Sequence, residues 1–222
     1  MRQRETAAEV SLEPEGPVRA TVIWLHGLGA DGYDFVGAVP LLGPLPGVRF
    51  RFPHAPVRPV TVNGGLPMRA WYDIAGPDLL EGEDAAGLEA SARALLGLLA
   101  EEEAAGVPPE AVCLAGFSQG GAVALLAALR HPGPLAGVAA LSTYLPRCAE
   151  ASLPGRSREV FLAHGEEDPV VPWALGLRTR RLLEGAGHRV RWWPFRGAHT
   201  VTPEELAAVG NWLRERLDPL GA

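Results

Sequence analysis

The sequence contains no lysine: all 20 of its basic residues are arginine. That absence removes whole chemistries, because a Walker A phosphate loop, a pyridoxal Schiff base, a lysine-dependent aldolase and a Ser-Lys dyad each require an amine. Cysteine is almost absent as well. Cys113 and Cys148 are the only two and have no C-x-x-C spacing, so neither a disulfide framework nor a zinc knuckle is readable, and both are expected as reduced packing residues. Basic clusters are lacking: the formal net charge is −6, with the acids spread along the chain. This argues against nucleic acid or an acidic lipid surface as a partner. Long apolar runs are lacking too. The longest stretches, such as residues 122–129, fall well short of a bilayer crossing, and Met1-Arg2-Gln3-Arg4-Glu5 is not an apolar signal segment. A cytoplasmic protein without stable membrane insertion is expected.

What is present is enough chain for one globular domain: 222 residues, 47% hydrophobic, read as a single unit over 1–222. Apolar β-branched runs alternate with longer helical patterns, the signature of a mostly parallel α/β sheet covered on both faces. Strands are predicted at 18–25, 48–52, 111–115, 135–141, 159–163 and 189–193, and the first is expected to pair with 9–12 across the Pro14-Glu15-Gly16 turn. Residues 53–82 are rich in Pro and Gly and read as a surface excursion. Helices are predicted at 84–105, from 119 to Arg130, at 172–184 and at 203–217. Gly106 is placed to end the first of these. Thr202 and Glu205 form a capping-box pattern at the start of the last, with Pro203 at the first helical position. Only a short Pro, Arg and Ser rich connection separates the strands at 135–141 and 159–163, leaving no room for a cap domain.

Gly116-Phe117-Ser118-Gln119-Gly120 is a G-x-S-x-G sequence lying between a predicted buried strand and a helix. Composition alone would produce the pattern roughly once in ten such sequences, so its position carries the weight. There it reads as a nucleophile elbow, whose glycines permit a turn too tight for flanking side chains. A serine hydroxyl needs a base, and imidazole titrates close enough to neutral pH to serve. Of six histidines, His188 and His199 lie late enough in the chain. His188, beside Gly187, reads as a solvated turn residue. His199 follows the last strand, at the sheet edge where the elbow opens, and is the expected base. His26 and His54 read as scaffold. The carboxylate that orients the base is expected on the loop after the 159–163 strand, where Asp168 is preferred to Glu166 and Glu167 because its short side chain is more readily fixed between Pro169 and Pro172. The order Ser118, Asp168, His199 is that of the α/β-hydrolases. Backbone N–H groups of Gln119, at a helix N-terminus, and of Leu28, after the 18–25 strand, are the expected oxyanion donors. A competing pattern, Gly27-x-Gly29-x-x-Gly32, matches a dinucleotide fingerprint. No acidic residue occurs between Asp34 and Asp73 to hold a ribose, however, which disfavours an NAD(P) oxidoreductase. A catalytically silent binding protein on the same fold is the other alternative.

The blocks His26-Gly27-Leu28-Gly29, Phe52-Pro53-His54-Ala55-Pro56, Arg69-Ala70-Trp71-Tyr72-Asp73, Gly116-Phe117-Ser118-Gln119-Gly120-Gly121, His164-Gly165 through Asp168-Pro169-Val170-Val171-Pro172 and Ala198-His199 resemble, in order, those of the phospholipase/carboxylesterase family. The resemblance implies a lidless α/β-hydrolase acting on carboxylic esters or thioesters, with Ser118, Asp168 and His199 as triad and Leu28 and Gln119 as oxyanion donors. The expected substrate is a small-molecule ester of small to medium acyl chain, with thioesters and lysophospholipids as the other candidates, and no metal or cofactor is required. It also implies that residues 53–73 border an acyl groove with Trp71 near the bound substrate, against an equally weighted reading of Trp71 and Tyr72 as core packing. Because some family members dimerise near the site, a homodimer is a further expectation.

Overall fold

A computed structural model describes residues 1–217. Its centre is an eight-stranded sheet in the order β1-β2-β4-β3-β7-β8-β9-β10. These strands are β1 (Arg2–Glu5), β2 (Glu9–Glu13), β3 (Ala20–Leu25), β4 (Val48–Pro53), β7 (Val112–Phe117), β8 (Gly137–Leu141), β9 (Glu159–Gly165) and β10 (Arg189–Phe195). From β4 to β10 every pairing is parallel, while β1 and β2 add an antiparallel edge. All residues of β3 and β8 are buried, as expected of parallel strands covered on both faces.

The expected pairing of residues 9–12 with the first central strand does not form. β2 pairs antiparallel with β4, Val10 opposite Phe52 and Leu12 opposite Phe50, because both edges of β3 are taken by β4 and β7. β1 carries no alternation to read, since all four of its side chains are exposed.

The helices are α1 (Ala85–Ala104), α2 (Gln119–Arg130), α3 (Trp173–Gly185) and α4 (Pro203–Leu217). α1 starts where the Asp84 side chain accepts the Gly87 N–H, an N-cap that satisfies one of the free first-turn donors. It stops at Gly106, whose φ of +91° is open to glycine at little cost. α2 is buried along its length up to Leu129, packed between the sheet and α1, which explains its run of alanine and leucine in place of an amphipathic stripe. At the start of α4, Thr202 Oγ1 accepts the Glu205 N–H and the Glu205 carboxyl reaches back to the Thr202 N–H, the reciprocal arrangement of a capping box. The 53–82 excursion contains a separate antiparallel hairpin, β5 (Val57–Val60) and β6 (Leu66–Arg69). The connection from β8 to β9 carries only a 3₁₀ turn, Arg147–Ser152. Among the described residues no helix is long and apolar enough to cross a membrane.

Candidate active site

Parallel strands deliver their C-terminal ends to one edge of the sheet, and the loops after β3, β7, β9 and β10 meet there. Ser118 follows β7 with φ 53° and ψ −120°. Such a backbone costs about 1–3 kcal/mol for a residue with a side chain and persists only where its surroundings enforce it. They do so sterically. A Cβ on Gly116 would lie 2.3 Å from the Gly120 carbonyl, one on Gly120 2.5 Å from the Leu25 oxygen, and one on Gly121 2.7 Å from the Thr143 methyl. The turn is also pinned by hydrogen bonds: Ser118 N–H donates to Leu141 O at 2.9 Å, and the Thr143 hydroxyl donates to Ser118 O at 2.6 Å.

His199 reaches Ser118 from the β10–α4 loop, its Nε2 2.8 Å from Ser118 Oγ and its Nδ1 2.7 Å from Asp168 Oδ2. The ring rests on Phe117, centroid to centroid 4.7 Å. The other Asp168 oxygen accepts the N–H groups of Val170 and Val171, both at 2.8 Å. Burial works against charge on Asp168, but the His199 contact and the two amides outweigh it and hold the carboxyl below its usual pKa. Beneath it lies fully buried His164, whose Nε2 is 2.8 Å from Val171 O and 3.7 Å from Asp168 Oδ2. Burial lowers its pKa and keeps that ring neutral.

The loops that carry Asp168 and His199 are locked together by main chain. Glu166 N–H donates to Phe195 O and Glu167 N–H to Gly197 O. A Cβ on Gly165 would sit 2.5 Å from the carbonyl oxygens of Gly197 and Ala198, so glycine at 165 is what lets the His199 loop cross the end of β9. The side chains of Glu166 and Glu167 point to solvent. His188 corrects the sequence reading: it is buried, not a solvated turn residue, and its Nδ1 accepts the Arg158 N–H at 3.1 Å.

The loop after β3 brings Leu28 to the same edge. His26 ends that strand buried, its pKa lowered to about 4 chiefly by burial, so the neutral ring donates from Nδ1 to Gly27 O and accepts the Ala55 N–H at Nε2. His54 accepts the Gly32 N–H, and both histidines hold loops as the sequence reading had them. Glycine at 32 is required because a Cβ there would lie 2.3 Å from Phe52 O. The chain continues into a 3₁₀ turn, Val36–Leu42, and not into the α-helix whose N-terminus would receive a pyrophosphate. The glycine pattern therefore serves packing. Neither the Leu28 N–H nor the Gln119 N–H donates to a protein acceptor among the described residues.

Trp71 is only 5% exposed. Its indole N–H donates to His26 O at 2.9 Å, and its ring packs against the His26 imidazole, which places it behind the Leu28 loop. Gln119 is also buried, and its side chain takes the Trp71 N–H at 2.8 Å and donates to Tyr72 O at 2.7 Å. The sequence reading missed these side-chain links, together with the contribution of Thr143 and Gly165. The sequence signal for the first of these is Gln119 itself, a polar side chain between Ser118 and Gly120.

A model of the phospholipase/carboxylesterase family matches residues 6–217. The chain belongs to that family. It is similar to acyl-protein thioesterase 1 of Gibberella zeae, 39% identical over 215 residues covering 90% of this chain and 92% of the relative. The corresponding Neurospora crassa protein is 40% identical, over 89% of this chain and 87% of its own. Among solved structures, SOBER1 of Arabidopsis thaliana superposes with a TM-score of 0.80 at 28% identity, covering 90% of this chain and all of that one. Acyl-protein thioesterase 2 of Zea mays gives 0.78 at 31% identity, covering 93% and 97%. Family membership makes this protein an α/β-hydrolase and a carboxylic ester hydrolase.

Proposed function

We propose that the protein is a serine esterase of small to medium acyl esters and thioesters, working by two-step acyl transfer on Ser118. The observation that carries this reading is the unbroken link from Asp168 Oδ2 through His199 to Ser118 Oγ, at 2.7 and 2.8 Å. His199 Nε2 takes the serine proton as Oγ attacks the acyl carbon, then returns it to the departing alkoxide or thiolate. Asp168 holds the Nδ1–H tautomer and stabilises the imidazolium formed meanwhile. The Leu28 and Gln119 amides receive the oxyanion, and loss of one such donor typically costs about 2.7–4 kcal/mol in the barrier. Water then repeats the sequence on the acyl-enzyme, releasing the acid and regenerating Ser118. Thioesters enter the proposal because the curated relatives at 39% and 40% identity are named acyl-protein thioesterases.

The test is hydrolysis of p-nitrophenyl esters from acetyl to dodecanoyl, and of the matching S-acyl thioesters, by the wild type and Ser118→Ala. Turnover abolished in the variant supports the assignment, and the chain-length optimum sizes the acyl groove. Equal turnover by both proteins overturns it.

A further inference from the structure

We infer that Trp71 and the side chain of Gln119 are positioning residues that set the spacing between the two oxyanion donors, an inference that rests on the acyl-transfer reading above. The two donors belong to segments far apart in sequence, and neither is held by the sheet ladder alone. Leu28 lies in a turn beyond the end of β3, and Gln119 opens α2. The structure joins them through a third segment, residues 69–72. That segment grips the Leu28 turn on both flanks: Arg69 O accepts the Gly29 N–H at 2.9 Å, and the Trp71 indole donates to His26 O at 2.9 Å. The Gln119 amide then grips the same segment from the other side, accepting the Trp71 N–H and donating to Tyr72 O.

One residue therefore supplies one donor from its backbone and controls the second through its side chain. The circuit is closed and dry: Trp71, Tyr72, His26 and Gln119 are each at most 5% exposed. The orientation of the amide follows from its partners, since an N–H can meet only its oxygen and a carbonyl only its nitrogen. The Ser91 hydroxyl, from α1, caps the arrangement by donating to Trp71 O. Preorganised donors stabilise a transition state only where the developing oxyanion will sit, about 2.7–3.1 Å from each. A small displacement of Leu28 would leave substrate binding in place and weaken the tetrahedral state. This assigns to Trp71 a place behind the oxyanion loop and not in contact with the acyl chain.

The experiment compares wild type, Trp71→Phe, Gln119→Met and the double variant. Trp71→Phe keeps a buried aromatic ring without the indole N–H, Gln119→Met keeps a side chain of similar length without the amide, and both retain the backbone N–H of residue 119. Rates on the best p-nitrophenyl ester are measured together with inhibition by an alkylboronic acid, which forms a tetrahedral adduct on Ser118. All values are normalised to the folded fraction by circular dichroism. The expected result is a kcat lowered about ten- to hundredfold with KM changed less than about threefold. The boronate Ki rises in step with the loss in kcat/KM, and the double variant is no worse than the poorer single one, as for two parts of one circuit. Should Trp71→Phe not fold, Gln119→Met carries the test with Trp71 in place. Unchanged kcat and Ki in folded variants, or losses that multiply in the double variant, overturn the inference. A wild-type enzyme that binds the boronate no more tightly than substrate instead overturns the oxyanion assignment on which it rests.

Discussion

Asp168 divides its carboxylate between two tasks, one oxygen 2.7 Å from His199 Nδ1 and the other accepting the N–H groups of Val170 and Val171. The second task fixes the first, because the carboxylate cannot turn without losing two charge-assisted hydrogen bonds. Asp168→Asn keeps the shape but presents an amide that no longer selects the Nδ1–H tautomer. Its kcat should fall by about 10³–10⁴. Glu167→Gln, with an exposed side chain, should stay within about twofold of wild type. Steady-state kinetics on one ester decides between the two acids, and the reverse pattern would move the acid to Glu167.

Glu205 links stability to pH. Its side chain is fully buried, one carboxyl oxygen has no hydrogen-bond partner among the described residues, and burial pushes its pKa up to about 8. The folded state thus keeps a proton that the unfolded chain sheds above about pH 4.3. Over the interval up to about pH 8 the unfolded state binds fewer protons, so stability falls as pH rises, with a slope of up to about 1.4 kcal/mol per pH unit. Glu205→Gln preserves the acceptor for the Thr202 N–H and removes the titration. Urea unfolding should show the variant gaining stability over wild type at pH 8 and little at pH 5. Parallel curves at both pH values would refute the assignment.

Glu102 on α1 lies almost wholly buried and accepts from the Thr21 hydroxyl at 2.5 Å, from Arg49 at 3.1 Å and from Arg51 at 3.0 Å. Its neighbour Glu101 also pairs with Arg51, but its side chain is 63% exposed. Arg49 keeps Glu13 and Arg51 keeps Glu9 and Glu101, so Glu102→Ala strands no charge but leaves the buried Thr21 hydroxyl and guanidinium N–H groups without their acceptor, and should cost about 1–3 kcal/mol. Glu101→Ala should cost less than about 1 kcal/mol. Equilibrium unfolding of both variants measures the contrast directly, and similar losses would show that burial does not set the worth of these pairs.

Gly120 packs against the end of β3, where an added Cβ would lie 2.5 Å from Leu25 O and 2.6 Å from His26 O. These are backbone atoms of a central strand and cannot swing aside. Gly120→Ala should therefore lose about 3 kcal/mol or more, and any folded fraction should be slow, because the displaced strand end carries the Leu28 loop. Gly97→Ala on α1, where among the described residues nothing beyond the adjacent residues and the helix's own backbone lies within 4 Å of the new Cβ, should instead be neutral or stabilising.

Much of the architecture was readable because it depends on near neighbours. The α4 boundaries and its capping box involve residues three apart, and the predicted α4 span coincides with the observed Pro203–Leu217. Strand partners were not readable. β2 follows the chain order that suggests a hairpin with β3, yet it lies beside β4, and β1 shows no apolar alternation because no core face covers it. His188 misled for a similar reason. Adjacent Gly187, at φ +85°, marks a turn, and nothing in a linear pattern tells that the 158 segment packs over that turn and buries the ring.

The sequence by itself determined the elbow around Ser118 and the order in which Ser118, Asp168 and His199 occur, because strand, G-x-S-x-G turn and helix are contiguous in the chain; the atoms that demand glycine at 120 and 121 belong to Leu25, His26 and Thr143 and come from the tertiary structure. Only the tertiary structure decided which groups touch. His199 lies 81 residues beyond Ser118 and 31 beyond Asp168, and Trp71 stands 45 residues from the His26 carbonyl it holds. Contacts at such separations depend on the parallel sheet bringing its loops to one edge. Hydrogen bonds, whose donor–acceptor distances vary by only a few tenths of an ångström, then select partners that no spacing along the chain records.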